Sequence, residues 1–152
     1  MRTIERTDFP LISTYQMNGK PLVYLDNAAT TQKPMQVLTA EENFYKSQNA
    51  NPLRGFYDLG ITATEQYEHA RHVVAEFIGA KNAEIIFTRN ATESLNLIMY
   101  SYALEHLEPG DEILISILEH HSNLIPWQLA AKKTGATLRY LYCNDEGIIS
   151  SE

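Results

Sequence analysis

Two short apolar runs, Ile85-Ile86-Phe87 and Ile113-Leu114-Ile115, are continuous rather than alternating. A strand with one wet face alternates apolar and polar residues, whereas a strand covered on both faces by helices need not. Helix-period segments follow these runs, each closed by a turn signal. The order reads strand 84–88, helix from 91 to about 104, turn Glu108-Pro109-Gly110-Asp111, strand 112–117, a helix from near Asn123 to Gly135 with Pro126 in its first turn, and strand 137–142. That alternation predicts an α/β fold, a parallel-rich sheet flanked by helices. With 44% hydrophobic and 20% charged residues, the 152-residue chain suits one soluble domain with its own core.

Upstream of these runs, residues 1–21 read as a surface arm with at most a short helix, ending in the turn signal Asn18-Gly19-Lys20-Pro21. Leu22-Val23-Tyr24-Leu25 is a short buried strand by composition and delivers the small polar stretch Asp26 to Thr31. Pro34 suits the first residue of a helix over about 33–47, with Val37, Leu38, Glu41, Phe44 and Tyr45 on its packing side. Residues 48–60 mix turn formers with aromatics and predict a functional or contact loop. Thr62 and Glu65 have capping-box spacing, opening a helix whose face carries Tyr67, Ala70, Val74, Phe77 and Ile78 until Gly79 stops it. No repeat, low-complexity tract or linker interrupts the chain.

A net charge of -7 with scattered cations offers no basic face, so neither nucleic acid nor a membrane surface is an expected partner. No run approaches a membrane span and the start lacks the apolar core of a signal peptide, which predicts a cytoplasmic protein. The single Cys143 excludes an internal disulfide framework and fits a reducing compartment.

Chemistry gathers where strands end, because ligands of open parallel sheets lie beyond the carboxyl ends of the strands. Three segments emerge there: Asp26–Thr31, Arg89–Glu93 and Leu118–Asn123. Asn90 is a good N-cap with Glu93 at capping-box spacing, so the N–H groups of Ala91 to Glu93 point outward and suit a phosphate. An anion seat beside an imidazole, with small residues opposite, fits pyridoxal 5'-phosphate; spacing alone leaves a nucleotide or a sugar phosphate open. Glu119, His120 and His121 are adjacent on one loop, an arrangement that does not make a tetrahedral zinc site without ligands from elsewhere. His69 and His72 read as surface residues. Cys143 reads as a half-buried small apolar residue rather than a nucleophile, having no base or cation beside it in the sequence.

Tyr24 through Pro34, Asn49-Ala50-Asn51 with Arg54-Gly55, Ile86 through Glu93, and Glu119-His120-His121-Ser122-Asn123 through Pro126-Trp127-Gln128 resemble the class V aminotransferase family, and within it the Suf-type cysteine desulfurase branch. The resemblance implies a fold-type I large domain, with 22–152 as its first part. It also implies a pyridoxal-phosphate enzyme that takes sulfur from L-cysteine, leaving alanine and an enzyme persulfide for iron-sulfur cluster assembly. Ala91 and Thr92 match the phosphate cup and His120 the imidazole that stacks on the pyridine ring, which makes His120 the catalytic candidate. Ala28 and Ala29 line the substrate's approach, and Arg54 matches an arginine on an active-site loop near a dimer interface. A homodimer and a sulfur-acceptor protein are the implied partners. His121 and Asn123 are implied to hold the loop.

Three departures from the family pattern stand out. Asn90-Ala91 replaces the usual Gly-Thr, removing one phosphate hydroxyl, and Leu53 stands where the branch commonly has histidine. The third concerns what the family holds downstream: the lysine that binds the cofactor, the acidic partner of the pyridine nitrogen, the carboxylate-binding arginine and the persulfide cysteine. Residues 1–152 therefore read as an amino-terminal fragment, inactive alone. Selenocysteine lyase, cysteine sulfinate desulfinase and a non-catalytic interaction module are the alternative readings.

Overall fold

The structure, a computed structural model, describes residues 4–149. It divides into two compact units, Met1–Ile85 and Ile86–Glu152.

The first unit opens with a 3-10 turn (Arg6–Asp8), helix α1 (Pro10–Thr14) and a small antiparallel hairpin, β1 (Gln16–Met17) with β2 (Lys20–Pro21). Asn18 and Gly19 turn the hairpin at φ 54° and 73°, the left-handed pair that a tight two-residue hairpin turn requires. The arm is more ordered than its composition suggests, because side chains tie it down. Arg6 Nη2 donates to the carbonyls of Ile12 (2.7 Å) and Leu22 (2.6 Å). The buried Asp8 carboxylate accepts from Gln36 Nε2 at 3.2 Å.

The predicted strand at 22–25 does not form. Leu22 N–H reaches the Tyr15 carbonyl at 3.3 Å, but the segment is otherwise extended without a ladder, and Leu25 is 88% exposed. Four apolar residues supply strand side chains, but a strand exists only against a partner. Pro34 caps α2 (Met35–Ser47) rather than beginning it, and Val37, Leu38 and Tyr45 on its expected packing side are exposed.

Helix α3 (Asp58–Ile78) begins four residues before Thr62, the predicted cap, with Tyr57 as the extended N-cap residue. The loop is correspondingly shorter. Gly60, read as loop, is buried in the first turn of α3, where a Cβ would lie 2.7 Å from the Gly55 Cα. The capping box expected of Thr62 and Glu65 is not formed at the helix start; Thr64 instead ties the loop to the helix, its Oγ1 accepting from Leu53 N–H (2.8 Å) and donating to the Gly60 carbonyl (2.7 Å). Gly79 ends the helix as predicted, at φ 71°. The face carrying Val74, Phe77 and Ile78 is exposed. The predicted strand 84–88 is also absent, replaced by a 3-10 turn (Asn82–Glu84) and an extended run without a ladder partner among the described residues.

The second unit follows the predicted alternation closely. Helix α4 (Ala91–Ile98) passes through a π-turn (Met99–Ala103) into α5 (Leu104–His106), the Leu104 N–H reaching back five residues to the Met99 carbonyl. In the turn that follows, Glu108 N–H donates to Asp111 Oδ2 (2.9 Å) and Asp111 N–H to the Glu108 carbonyl (3.1 Å). Strand β3 (Glu112–Ser116) pairs in parallel with β4 (Thr137–Leu141), Ile113 opposite Leu138 and Ile115 opposite Tyr140. Between them lie a 3-10 turn (His121–Asn123) and helix α6 (Ile125–Thr134), with Pro126 in its first turn and Gly135 (φ 80°) at its end. Met99, Ala103 and Ala130 form the buried core, with Leu104, Leu107, Ile113, Trp127 and Leu129 packed around it. Burying a side chain the size of Met99 contributes about 1.5–3 kcal/mol.

Candidate functional site

Asn90 is extended (φ -171°, ψ 172°), and its Oδ1 accepts the Glu93 N–H at 2.9 Å, which caps α4 as the sequence predicts. The second half of the capping box differs. The Glu93 carboxylate passes the Asn90 N–H and takes the Arg89 N–H (2.7 Å) and Arg89 Nε (3.2 Å). Thr88 Oγ1 lies 2.7 Å from Ser94 Oγ and braces the same turn. With the Glu93 N–H on Asn90 and the Ser94 N–H on the Asn90 carbonyl (3.2 Å), a helix start of this geometry leaves the Ala91 and Thr92 amides for an anion.

The loop after β3 is built from side-chain hydrogen bonds. Ser116 Oγ donates to Glu119 Oε1 (2.9 Å), Asn123 Nδ2 donates to Glu119 Oε2 (2.8 Å), and Trp127 Nε1 donates to Asn123 Oδ1 (2.8 Å). The Asn123 amide, and then the Ser116 hydroxyl, hold the Glu119 carboxyl below the usual carboxylate range. His120 caps the following 3-10 turn. Its carbonyl accepts the Asn123 N–H (2.8 Å), and its Nδ1 accepts the Ser122 N–H (3.2 Å). A backbone N–H only donates, so Nδ1 is the acceptor and the neutral ring carries its proton on Nε2. Ser122 Oγ lies 2.9 Å from the same nitrogen, and the His121 ring stands edge-on to the imidazole, centroids 5.9 Å apart.

Thr92 and His120 share one cavity of about 320 Å³, with Asn96, His121, Ser122 and Ile125. Ala91 is the first residue of the helix that delivers Thr92. A neighbouring cavity of about 610 Å³ runs along Arg89, Asn90, Thr92, Asn96 and Tyr100. Asn96, which sequence reasoning missed, lies one turn beyond Thr92 and donates to its carbonyl at 2.8 Å. The i, i+4 spacing was the available signal. The donor set suits a phosphate held by two amides and the Thr92 hydroxyl, with a flat neutral imidazole nearby. Both Glu119 oxygens are engaged, and no three metal-ligating side chains gather among the described residues.

The remaining predicted residues lie in the first unit. Ala28 and Ala29 sit exposed on a turn closed by Thr30 N–H on the Asp26 carbonyl (3.2 Å) and by the Tyr24 hydroxyl on the Thr30 carbonyl (2.6 Å). Arg54 is exposed beside Leu53, a non-glycine residue held at φ 70°. In the second unit, Cys143 is half-buried with its backbone bridged to Ile149, and Lys132 and Lys133 lie exposed on α6.

Comparison with known proteins gives one consistent result. The sequence model of the family described as Aminotransferase class-V matches residues 23–152. A protein of Synechocystis named "Probable cysteine desulfurase" is 49% identical over 142 residues, 93% of this chain and 34% of its own length. A protein of the same name from Halalkalibacterium halodurans is 50% identical over 145 residues, 95% of this chain and 36% of its own. The solved apo structure of cysteine desulfurase from Thermococcus onnurineus superposes with a TM-score of 0.87 at 38% identity, covering 99% of this chain and 37% of that one. The chain thus spans about a third of the length of these relatives.

Proposed function

The chain belongs to the class V aminotransferase family, and from that membership we propose that it is the first part of the large domain of a pyridoxal 5'-phosphate-dependent cysteine desulfurase. The observation that carries the reading is the shared cavity of Thr92 and His120, which sets a helix-start anion seat beside an imidazole. When bound, the cofactor supplies an electron sink for bond breaking in an amino acid substrate. The chain's own residues do the holding. The Ala91 and Thr92 amides and the Thr92 hydroxyl take the phosphate, Asn90 fixes their direction, and His120 offers a neutral ring face with its proton on Nε2. Asn96 braces the Thr92 backbone from one turn further on.

The substrate is L-cysteine, its sulfur passing to an enzyme cysteine and onward to an acceptor protein for iron-sulfur cluster assembly, in a cytoplasmic homodimer. Ala28 and Ala29, small residues on an exposed turn, are assigned to the substrate's approach, and Arg54, on its exposed loop, to charge recognition.

The test uses the full-length protein, with bound cofactor read from visible absorbance and turnover from alanine release. His120→Ala is expected to lower turnover about a hundred-fold, and Thr92→Ala to weaken cofactor binding about ten-fold, one charge-assisted hydrogen bond. Residues 1–152 alone are expected to release no alanine, since neither Lys132 nor Lys133 lines the cavity of Thr92 and His120. A full-length protein that neither retains pyridoxal phosphate nor forms alanine from cysteine overturns the reading.

A further inference from the structure

The hydrogen bonds between β3 and α6 converge on Glu119, which accepts from both ends. The Trp127 indole is a donor with no acceptor capacity, so the Asn123 atom facing it at 2.8 Å is the oxygen. That orients the Asn123 amide with Nδ2 towards Glu119 Oε2, again at 2.8 Å. Glu119 must accept there, and at Oε1 it accepts from the Ser116 hydroxyl (2.9 Å), whose lone pairs take the Leu118 N–H (3.2 Å). A side chain that accepts on both oxygens is a carboxylate. A glutamine in its place can keep its oxygen towards Asn123 and donate to the Ser116 hydroxyl, which then accepts, whereas an alanine leaves Asn123 and Ser116 without their common acceptor.

This strap has one end on the last residue of β3 and the other on Trp127, which is packed against the Met99, Ala103 and Ala130 core. His120 lies between its ends. The imidazole is exposed and its hydrogen bonds are to Ser122, inside its own turn, so the ring goes where the turn goes. The turn is closed by the Asn123 N–H on the His120 carbonyl, and Asn123 is the middle link of the strap.

We propose that Glu119 is a positioning residue: as the common acceptor of the strap Ser116–Glu119–Asn123–Trp127, it sets the His120 ring relative to the helix start at Ala91 and Thr92. The proposal rests on the reading that His120 faces the cofactor ring, and it assigns Trp127 a second role as the group that dictates the strap's polarity.

A double-mutant cycle in the full-length protein tests it, read by pyridoxal phosphate affinity and by the ¹⁵N signals of the His120 ring. Glu119→Ala, which removes the common acceptor, is expected to weaken binding about ten-fold and to lose the single Nε2–H tautomer, and Glu119→Gln, which keeps an acceptor for Asn123, to restore most of both. Trp127→Phe, which removes the donor and keeps most of the packing, costs about two-fold. In the double variant Glu119→Ala with Trp127→Phe the strap is already broken at Glu119, so its loss is expected near ten-fold rather than the product of the single losses, about twenty. A double variant at the product of the single effects, or Glu119→Ala with unchanged ring signals, overturns the proposal. If Glu119→Ala does not fold, Glu119→Gln and Trp127→Phe carry the test, and ring signals unchanged in both overturn it. If no variant, wild type included, binds pyridoxal phosphate, the functional reading fails, and the ring signals alone decide the strap.

Discussion

The two units share a similar vocabulary of helices, caps and glycine stops, yet only the second uses it to build a site. In residues 86–149, Thr92 and His120 line one cavity, and Glu119, Asn123 and Trp127 link the loop to a core containing a fully buried methionine. In residues 4–85, Ala28, Ala29 and Arg54 stand exposed on turns, while α2 and α3 leave apolar faces open. Local signals suffice where a site is made of neighbours in sequence. Where a segment needs a partner from far along the chain, apolar residues announce a strand that does not form.

The largest break in that contrast should come from Met99→Ala. Deleting a fully buried methionine costs about 2–5 kcal/mol, and the loss should be visible in urea unfolding and in faster amide exchange across β3, β4 and α6. A loss near zero would show that the core of the second unit does not hold its site. The first unit has a tight contact of its own. Gly60→Ala places a Cβ 2.7 Å from the Gly55 Cα, backbone against backbone, and is expected to cost about 1–3 kcal/mol in thermal melting. A neutral result would mean that the Gly55 loop gives way freely.

The smallest effect is one of pH. The Glu119 carboxyl is lowered in the folded protein, chiefly by the Asn123 amide. Its contribution to stability is therefore present above the unfolded value of 4.5 and is lost as pH falls through the lower folded value. Melting temperature should decline over that acidic window, and Asn123→Ala should shrink the part of the decline due to Glu119. The same slope in both proteins would detach Glu119 from the strap.

How much of this was legible follows from the range of each interaction. Asn90, Gly79, Gly135 and the Glu108–Asp111 turn act within a few residues, and each behaves as its residue type predicts. The pairing of β3 with β4 was legible because one helix separates two apolar runs. The runs at 22–25 and 84–88 have similar apolar content and no such neighbour, so composition overstated them. The start of α3 was missed because Leu59-Gly60 reads as loop until Gly55 is seen against it. Thr92 and His120 were singled out from helix-start spacing and from the family resemblance, whereas Asn96 and the polarity of the strap needed the orientation of two amides, which no sequence pattern carries.

The π-turn at Met99–Ala103 has a consequence best put in terms of angle. A helix is a screw that advances about 100° per residue, and a π-turn admits one residue beyond the α-helical count without completing an additional turn. The cavity-lining end of this helix, Thr92 and Asn96, and its core-facing end, Ala103 and Leu104, are thus held out of phase with a regular helix by that increment. Removing one residue from the five would let a regular helix join the two ends at about their present bearing, whereas a regular helix that kept all five would turn one end by about 100° against the other. The irregular turn works as an indexing pin, setting at what angle the outward-facing end of the helix meets a body that is already packed.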